Sequence, residues 1–163
     1  MFTELHWIDG PWTGRLAISA RPRGGDWLPD EIRSWRKNGI DVVLSLLTPG
    51  EVDDLDLRHE AQYCNENGMR FDVFPIIDRS VPSSDAETLE LLDRLDGDLD
   101  SGKNVVVHCR QGIGRAALIT TSLLMARGLS PSDAIERVSA ARQAQVPETA
   151  EQRAWLAQFY AFK

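Results

Sequence analysis

The sequence has little of what three common kinds of protein need. It contains two cysteines, Cys64 and Cys109, which are too few for a disulfide framework and lack the paired spacing with histidine that a zinc site shows. Its formal net charge is −7, whereas broad nucleic-acid binding requires clustered Lys and Arg. No apolar run approaches the roughly 20 residues that span a bilayer. We therefore expect no metal, no nucleic-acid partner and no membrane contact.

The rest of the composition is that of an ordinary globular chain. Its 163 residues suit one domain over residues 1–163, and contents of 42% hydrophobic and 26% charged residues argue against disorder. The N-terminus, Met1-Phe2-Thr3-Glu4, lacks the basic flank and the apolar stretch of a signal peptide. These features predict a cytoplasmic protein, and we expect a monomer without a cofactor.

Segments with the patterns of strands and helices alternate along the chain. Short apolar or β-branched runs predict strands at 16–20, 42–47, 69–76 and 105–107, of which those at 42–47 and 105–107 are expected to be buried. Capping sequences predict helix starts at Pro29, Ser84, Ser130 and Thr149. One polar helix is predicted over 51–67, with Gly68 as its left-handed C-terminal cap. This alternation predicts an α/β fold with a central, mostly parallel sheet flanked by helices on both sides.

Between the predicted strand at 105–107 and a predicted apolar helix at 115–126, the chain has the composition of an anion-binding loop. It reads His108-Cys109-Arg110-Gln111-Gly112-Ile113-Gly114-Arg115. Its glycines let the backbone N–H groups of Arg110 to Arg115 converge on one phosphate, at the sheet edge where ligands gather. The helix N-terminus and an arginine favour the thiolate of Cys109, which predicts a nucleophile, and the fork of Arg115 suits two phosphate oxygens. The competing interpretation is an inert buried cysteine beside an arginine that caps a helix.

This loop resembles the signature of the cysteine-based protein tyrosine phosphatase superfamily. That signature, His-Cys-x-x-Gly-x-x-Arg, is matched by His108, Cys109, Gly112 and Arg115. The short chain, which has no recognisable phosphotyrosine-recognition loop near its N-terminus, resembles the compact dual-specificity branch. The resemblance implies a metal-independent phosphatase that acts on phosphotyrosine in a protein or peptide, with phosphoserine and phosphothreonine as further candidates, through a phosphocysteine intermediate.

The resemblance also implies roles for residues outside the loop. Asp78 stands where relatives carry a general acid that protonates the leaving oxygen and later takes a proton from water, and a solvated turn residue is the alternative. Gln152 would help to place that water, or it completes a capping box with Thr149. Glu51 would steady the loop arginine, or it is an ordinary first-turn helix acid. His108 would orient the loop through hydrogen bonds.

Three further features leave alternatives open. Ala116 stands where most relatives have Ser or Thr, whose hydroxyl helps the cysteine to leave, so a phosphate-binding pseudophosphatase with slow or no turnover is the alternative function. Cys64 is either an interior thiol or a redox partner of Cys109. The basic segment Arg21-Pro22-Arg23-Gly24 either lines the pocket or belongs to a solvated face.

Overall fold

A five-stranded sheet forms the centre of the structure, a computed structural model that describes residues 2–162, with side-chain surroundings described as far as Phe159. The strands are β1 (His6–Ile8), β2 (Leu16–Ser19), β3 (Val42–Ser45), β4 (Arg70–Val73) and β5 (Val105–His108). They lie in the order β1-β2-β5-β3-β4; β1 and β2 pair antiparallel, and the other three pairs are parallel. The three consecutive valines of β5 therefore occupy the middle of the sheet, buried on both faces.

Helices cover both faces of this sheet, as predicted. Those of the described residues are α1 (Leu28–Lys37), α2 (Pro49–Asp54), α3 (Glu60–Glu66), α4 (Asp85–Asp100), α5 (Arg115–Ala126), α6 (Pro131–Arg142) and α7 (Ala150–Phe162). Because successive strand residues point to opposite faces, the core divides into two apolar clusters. One cluster packs against α1 and α3, and the other packs against α4 to α7. None of the helices within residues 2–162 is long and apolar enough to cross a membrane.

The helix starts predicted at Ser84, Ser130 and Thr149 are confirmed at the residues that cap them, whereas α1 begins at Leu28, one residue before the predicted Pro29, and has no side-chain cap. The Ser84 side chain accepts a hydrogen bond from the N–H of Glu87 (3.2 Å), and that of Ser130 accepts one from the N–H of Asp133 (3.1 Å). These oxygens satisfy backbone donors that have no partner inside the helix. Helix α5 begins at Arg115, directly after the loop that carries the phosphatase signature.

The prediction of a single helix over 51–67 is wrong, because a short non-helical segment separates α2 from α3. At the break Asp56 has a φ of 54°, a left-handed conformation that Asp adopts more readily than most residues. The N–H of Gly25 donates to the carbonyl oxygen of Asp56 over 3.0 Å. A Cβ on Gly24 would lie 2.0 Å from the carbonyl oxygen of Leu55. The break thus makes room for the segment that precedes α1, while Gly68, with a φ of 75°, follows α3 as predicted.

Candidate active site

The loop between β5 and α5 forms the floor of a pocket of about 160 Å³. Cys109 lies there, 3% exposed, and its Sγ accepts a hydrogen bond from the N–H of Gly112 over 3.3 Å. Gly112 has a φ of 75°, and a Cβ on it would lie 2.7 Å from the backbone of Ser19 at the end of β2. A side chain does not fit there, so glycine is required for the turn that aims this amide at the sulfur.

The other residues predicted to bind phosphate divide between the pocket and its support. Arg110, Gln111, Gly114 and Arg115 line the pocket. Ile113 instead packs its side chain against the apolar cluster beneath α5, which anchors the loop. Within the described part of the chain, no group of three or more His, Cys, Asp and Glu side chains is placed to hold a metal ion.

Arg115, the first residue of α5, is a buried cation held in a fixed orientation. Its Nη1 and Nη2 donate to the two carboxylate oxygens of Glu51 over 2.6 and 2.9 Å. Nη1 also donates to the carbonyl oxygen of Ile76 (2.8 Å), and Nη2 donates to Oδ1 of Asp78 (3.0 Å). Burial opposes the charge, but the hydrogen bonds from Arg115 to Glu51 and the negative charges of Cys109, Glu51 and Asp78 outweigh it and raise the pKa of Arg115. Arg115 therefore stays positively charged despite its burial.

Glu51 has both of the roles that the sequence left open. It is the third residue of α2, where it forms a capping box with Thr48: the Thr48 N–H donates to Oε1 (3.1 Å), and the Glu51 N–H donates to the Thr48 hydroxyl (3.4 Å). The same carboxylate holds Arg115. Burial disfavours its charge, but hydrogen bonds from Arg115 and from the Thr48 backbone outweigh this and lower the pKa of Glu51. The capping box thus holds the Glu51 carboxylate in place, and that carboxylate holds Arg115 in place.

Asp78 lies at the mouth of the pocket, on the segment that follows β4. The strand ends at Val73, yet the N–H groups of residues 74 and 76 still donate to carbonyl oxygens at the end of β3, over 2.9 and 3.0 Å. These bonds lead the chain across the carboxyl ends of the strands towards Arg115. The Asp78 side chain is 45% exposed, so the carboxyl group contacts the arginine on one side and solvent on the other.

His108 is oriented by a partner that the sequence did not indicate. Its Nε2 lies 2.7 Å from Oε2 of Glu60, and its Nδ1 lies 3.3 Å from the carbonyl oxygen of Cys109. Both side chains are buried, and the imidazole also lies beside Trp35, with ring centroids 5.8 Å apart. Glu60 belongs to α3, so this contact exists only after α3 has packed on the sheet, and no local sequence motif indicates it.

Gln152 is buried in the first turn of α7 and borders the phosphate loop. Its Oε1 accepts from the N–H of Thr149 (3.2 Å), and the N–H of Gln152 donates to the Thr149 hydroxyl (3.1 Å), which is the predicted capping box. Its Nε2 donates to the carbonyl oxygen of Ser80 (3.0 Å) and would lie 3.2 Å from a Cβ on Gly114. Gln152 thus connects α7 with the segment that carries Asp78.

Two charged residues of the pocket, Arg79 and Glu148, were missed by the reasoning from sequence. Arg79 follows Asp78 with a φ of 63°, and its Nη1 donates to Oε2 of Glu148 over 3.2 Å. The Glu148 side chain is 20% exposed, and its Oε1 would lie 2.6 Å from a Cβ on Gly114. The pair joins two loops that are distant in the chain, so neither residue has a neighbouring sequence pattern that reveals it.

The basic segment Arg21–Gly24 lies beside the phosphate loop and is not part of the pocket lining. The N–H of Arg21 donates to the carbonyl oxygen of Arg110 over 3.3 Å. The guanidinium of Arg23 lies over the ring of Trp27, 4.4 Å from its centroid, and pairs with the buried carboxylate of Glu31 (3.3 Å). The segment therefore supports the phosphate loop from outside.

Cys64 lies in the apolar cluster on the opposite face of the sheet from Cys109. Burial and the nearby charge of Glu60 raise the pKa of its thiol far above the ordinary value. Both cysteines are free thiols. Because a disulfide needs Cα atoms within about 7 Å, the sheet between the two clusters argues against a bond between them.

Comparisons with known proteins agree with this fold. Residues 19–129 match the family model described as "Tc-R-P: Polymorphic toxin system, DSP-PTPase phosphatase". Kinase associated phosphatase, solved with serine in place of its catalytic cysteine, is similar with a TM-score of 0.90 at 20% identity, covering 98% of this chain and 95% of that one. No curated protein matches significantly.

Two further solved structures are similar over nearly the whole chain. Tk-PTP in its active form has a TM-score of 0.79 at 26% identity, with 96% of each chain covered. PTPMT1 in complex with PI(5)P has a TM-score of 0.79 at 20% identity, covering 97% of this chain and 95% of that one. The family match spans more than half of the sequence, and the chain therefore belongs to the DSP-PTPase phosphatases, the compact dual-specificity-like members of the cysteine-based protein tyrosine phosphatase superfamily.

Proposed function

We propose that this protein is a metal-independent phosphomonoester hydrolase that acts on phosphotyrosine in proteins through a phosphocysteine formed at Cys109. Phosphoserine and phosphothreonine are further candidate substrates. Membership of a phosphatase family supports the reaction class. The observation that carries the proposal is the placement of one sulfur and one buried guanidinium in one pocket: Cys109 accepts the N–H of Gly112, and Arg115 is held there by Glu51.

In the first step the thiolate of Cys109 attacks phosphorus. The loop amides, the N-terminus of α5 and the fork of Arg115 stabilise the charge on the phosphate oxygens. Arg115 Nη2 contacts the exposed Asp78 in the structure, and this contact is the one that a phosphate oxygen would replace. Asp78, in its protonated form, gives its proton to the leaving oxygen as the bond from phosphorus to that oxygen breaks.

The charge balance of the pocket favours a substrate with a single phosphate. Arg79 is paired with Glu148, and Arg110 Nη1 lies 3.7 Å from Oε2 of Glu51. Arg79 and Arg110 thus already have carboxylate neighbours, and Arg115, the third arginine that lines the pocket, serves the phosphate that reacts. A polyphosphorylated substrate would lack cations for its further phosphates.

Hydrolysis of an aryl phosphate in the presence of a chelator tests this proposal. We expect the parent chain to turn over with and without chelator, Cys109→Ser to lose activity by at least about 10³-fold, and Asp78→Asn to lose about 10²-fold. A Cys109→Ser variant as active as the parent would disprove the mechanism. Loss of the parent activity on chelation would disprove metal independence.

A substrate panel tests the assignment to proteins. It compares a phosphotyrosine peptide, the same peptide with phosphoserine, and vesicles that contain PI(5)P, the lipid found in the similar PTPMT1 complex. We expect the highest kcat/KM for the phosphotyrosine peptide. A preference for the lipid would move the chain to another substrate class, and one burst of product without further turnover would support the phosphate-binding alternative.

A further inference from the structure

The second half of the proposed reaction, in which water releases phosphate from Cys109, needs a group that manages the water. Ala116, the second residue of α5, is buried and offers no hydroxyl to the sulfur. Gln152 is also fully buried, and its amide already bonds to Thr149 through Oε1 and to Ser80 through Nε2. These contacts make Gln152 a connector between α7 and the Asp78 segment, and because a neutral amide does not take a proton from water, the base must be another residue.

Glu148 is placed to take that role. Its carboxylate lines the same pocket as Cys109 and is reached from the loop between α6 and α7, whereas Asp78 enters from the segment after β4. Arg79 engages Oε2, while Oε1 lies against Gly114 in the phosphate loop. Two carboxylates thus border the pocket from two independent loops.

The partners of the two carboxylates differ in a way that separates their tasks. Asp78 accepts a hydrogen bond from the buried Arg115 at the mouth of the pocket, so its carboxylate is tied to the group that holds the reacting phosphate. Glu148 pairs with Arg79, whose side chain is 65% exposed, and an ion pair with a solvated partner is weak. The Glu148 carboxylate is therefore held in the pocket by a partner that solvent can replace, which leaves it available to a water beside Cys109.

We propose that Glu148 is a second catalytic carboxylate, the base that activates water against the phosphocysteine. This inference rests on the proposed function. The water oxygen forms a bond to phosphorus, the bond from phosphorus to Sγ breaks, and its electron pair leaves with Cys109 as the thiolate. One water proton passes to Glu148, and inorganic phosphate departs. Asp78 then serves the first step and Glu148 the second.

Rapid-quench kinetics with a radiolabelled aryl phosphate that has a good leaving group separate the two steps. In Glu148→Gln we expect the burst of product to keep its rate within about twofold, the steady-state rate to fall by about tenfold or more, and the phosphoenzyme trapped by acid to accumulate. Asp78→Asn is expected to slow the burst instead, most clearly with a second aryl phosphate whose leaving group is poor. The burst amplitude counts competent sites, so a misfolded variant is recognised. Glu151→Gln, an equal change of charge at an exposed neighbour, provides the matched control.

Two outcomes would overturn the inference. One is a Glu148→Gln variant whose phosphoenzyme level matches that of the parent. The other is an Arg79→Ala variant that accumulates as much phosphoenzyme as Glu148→Gln, together with a Glu148→Ala variant whose phosphoenzyme does not decline when formate is added. That pair of results would make Glu148 a positioning residue for the Asp78 segment. Relief of Glu148→Ala by formate, without relief of Arg79→Ala, is the result expected of a base. Absence of any phosphoenzyme in the parent would instead refute the proposed function itself.

Discussion

The two cysteines of this chain are both buried and both free, yet their surroundings have little in common. Cys64 lies on α3 among apolar side chains, where burial and Glu60 raise the pKa of its thiol. Cys109 lies at the floor of an open pocket, receives an N–H from Gly112 and is close enough to Arg115 for their charges to interact. Two buried cysteines thus differ in their nearby donors and charges, which control the reactivity of a thiol more than burial alone does.

The two cysteines have different surroundings because successive residues at the end of β5 point to opposite faces of the sheet. His108, the last residue of β5, points to the face that holds α1 and α3, where it meets Glu60. Cys109 comes next and belongs to the cluster on the other face, directly before the loop and α5. One step along the chain thus separates the side of the sheet that contains Cys64 from the side that contains the pocket.

Replacing the fixed guanidinium beside Cys109 tests the comparison most strongly. A lysine ammonium lacks the planar fork that bonds side by side to two oxygens of Glu51 or of a phosphate, so we expect Arg115→Lys to lower kcat/KM by about 10²- to 10³-fold. Steady-state hydrolysis of an aryl phosphate measures it. Arg127→Lys, the same change at the other end of α5, is the control and should stay within about twofold of the parent. Equal losses in both variants would mean that the effect is not local to Cys109.

Alkylation by iodoacetamide measures the two thiols side by side. At pH 7 we expect Cys109 to react on the order of a hundredfold faster than Cys64, and phosphate to protect it. Because the pKa of Cys64 is raised, this residue stays a thiol at pH 9 in the folded chain and should remain unmodified there. Mass spectrometry of the peptides gives both rates. In urea the two should react alike, and rapid modification of Cys64 in the folded chain would contradict the comparison.

Truncating Cys64 should have the smallest effect on catalysis. Cys64→Ala leaves a small cavity in a closely packed cluster, so we expect the free energy of unfolding to fall by about 1 to 2 kcal/mol while kcat/KM stays within about twofold. Urea unfolding and the aryl phosphate assay provide the two numbers. A loss of activity beyond about tenfold would show that the two faces are coupled, contrary to the structure.

The features that the sequence predicted best are those encoded locally. The strand at 105–107, the loop from Cys109 to Gly114 and the helix from Arg115 are contiguous, so one stretch of sequence predicts the architecture around the pocket. The caps at Ser84, Ser130 and Thr149 are equally local. The break at Asp56 was missed because no glycine or proline marks it, and the cause lies in the packing of Gly24 and Gly25.

The features that were missed depend on contacts between distant segments. Glu60 meets His108 only across the packed sheet, and Glu148 meets Arg79 only where two loops converge. In the sequence each of these residues resembles an ordinary surface charge. Glu51 and Gln152 are intermediate cases. A capping box accounts for each of them locally, whereas the contacts of Glu51 with Arg115 and of Gln152 with Ser80 depend on the fold.

The buried pair of Arg115 and Glu51 has a consequence for how this protein would evolve or be engineered. Replacing such a pair by apolar residues of similar volume is often neutral or stabilising, by up to roughly 4 kcal/mol. A screen that rewards heat resistance alone would therefore discard the pair and keep the fold, yielding a robust but inert domain. Among descendants of this chain, an apolar pair at positions 51 and 115 would mark lineages that retained the architecture after the chemistry had been abandoned.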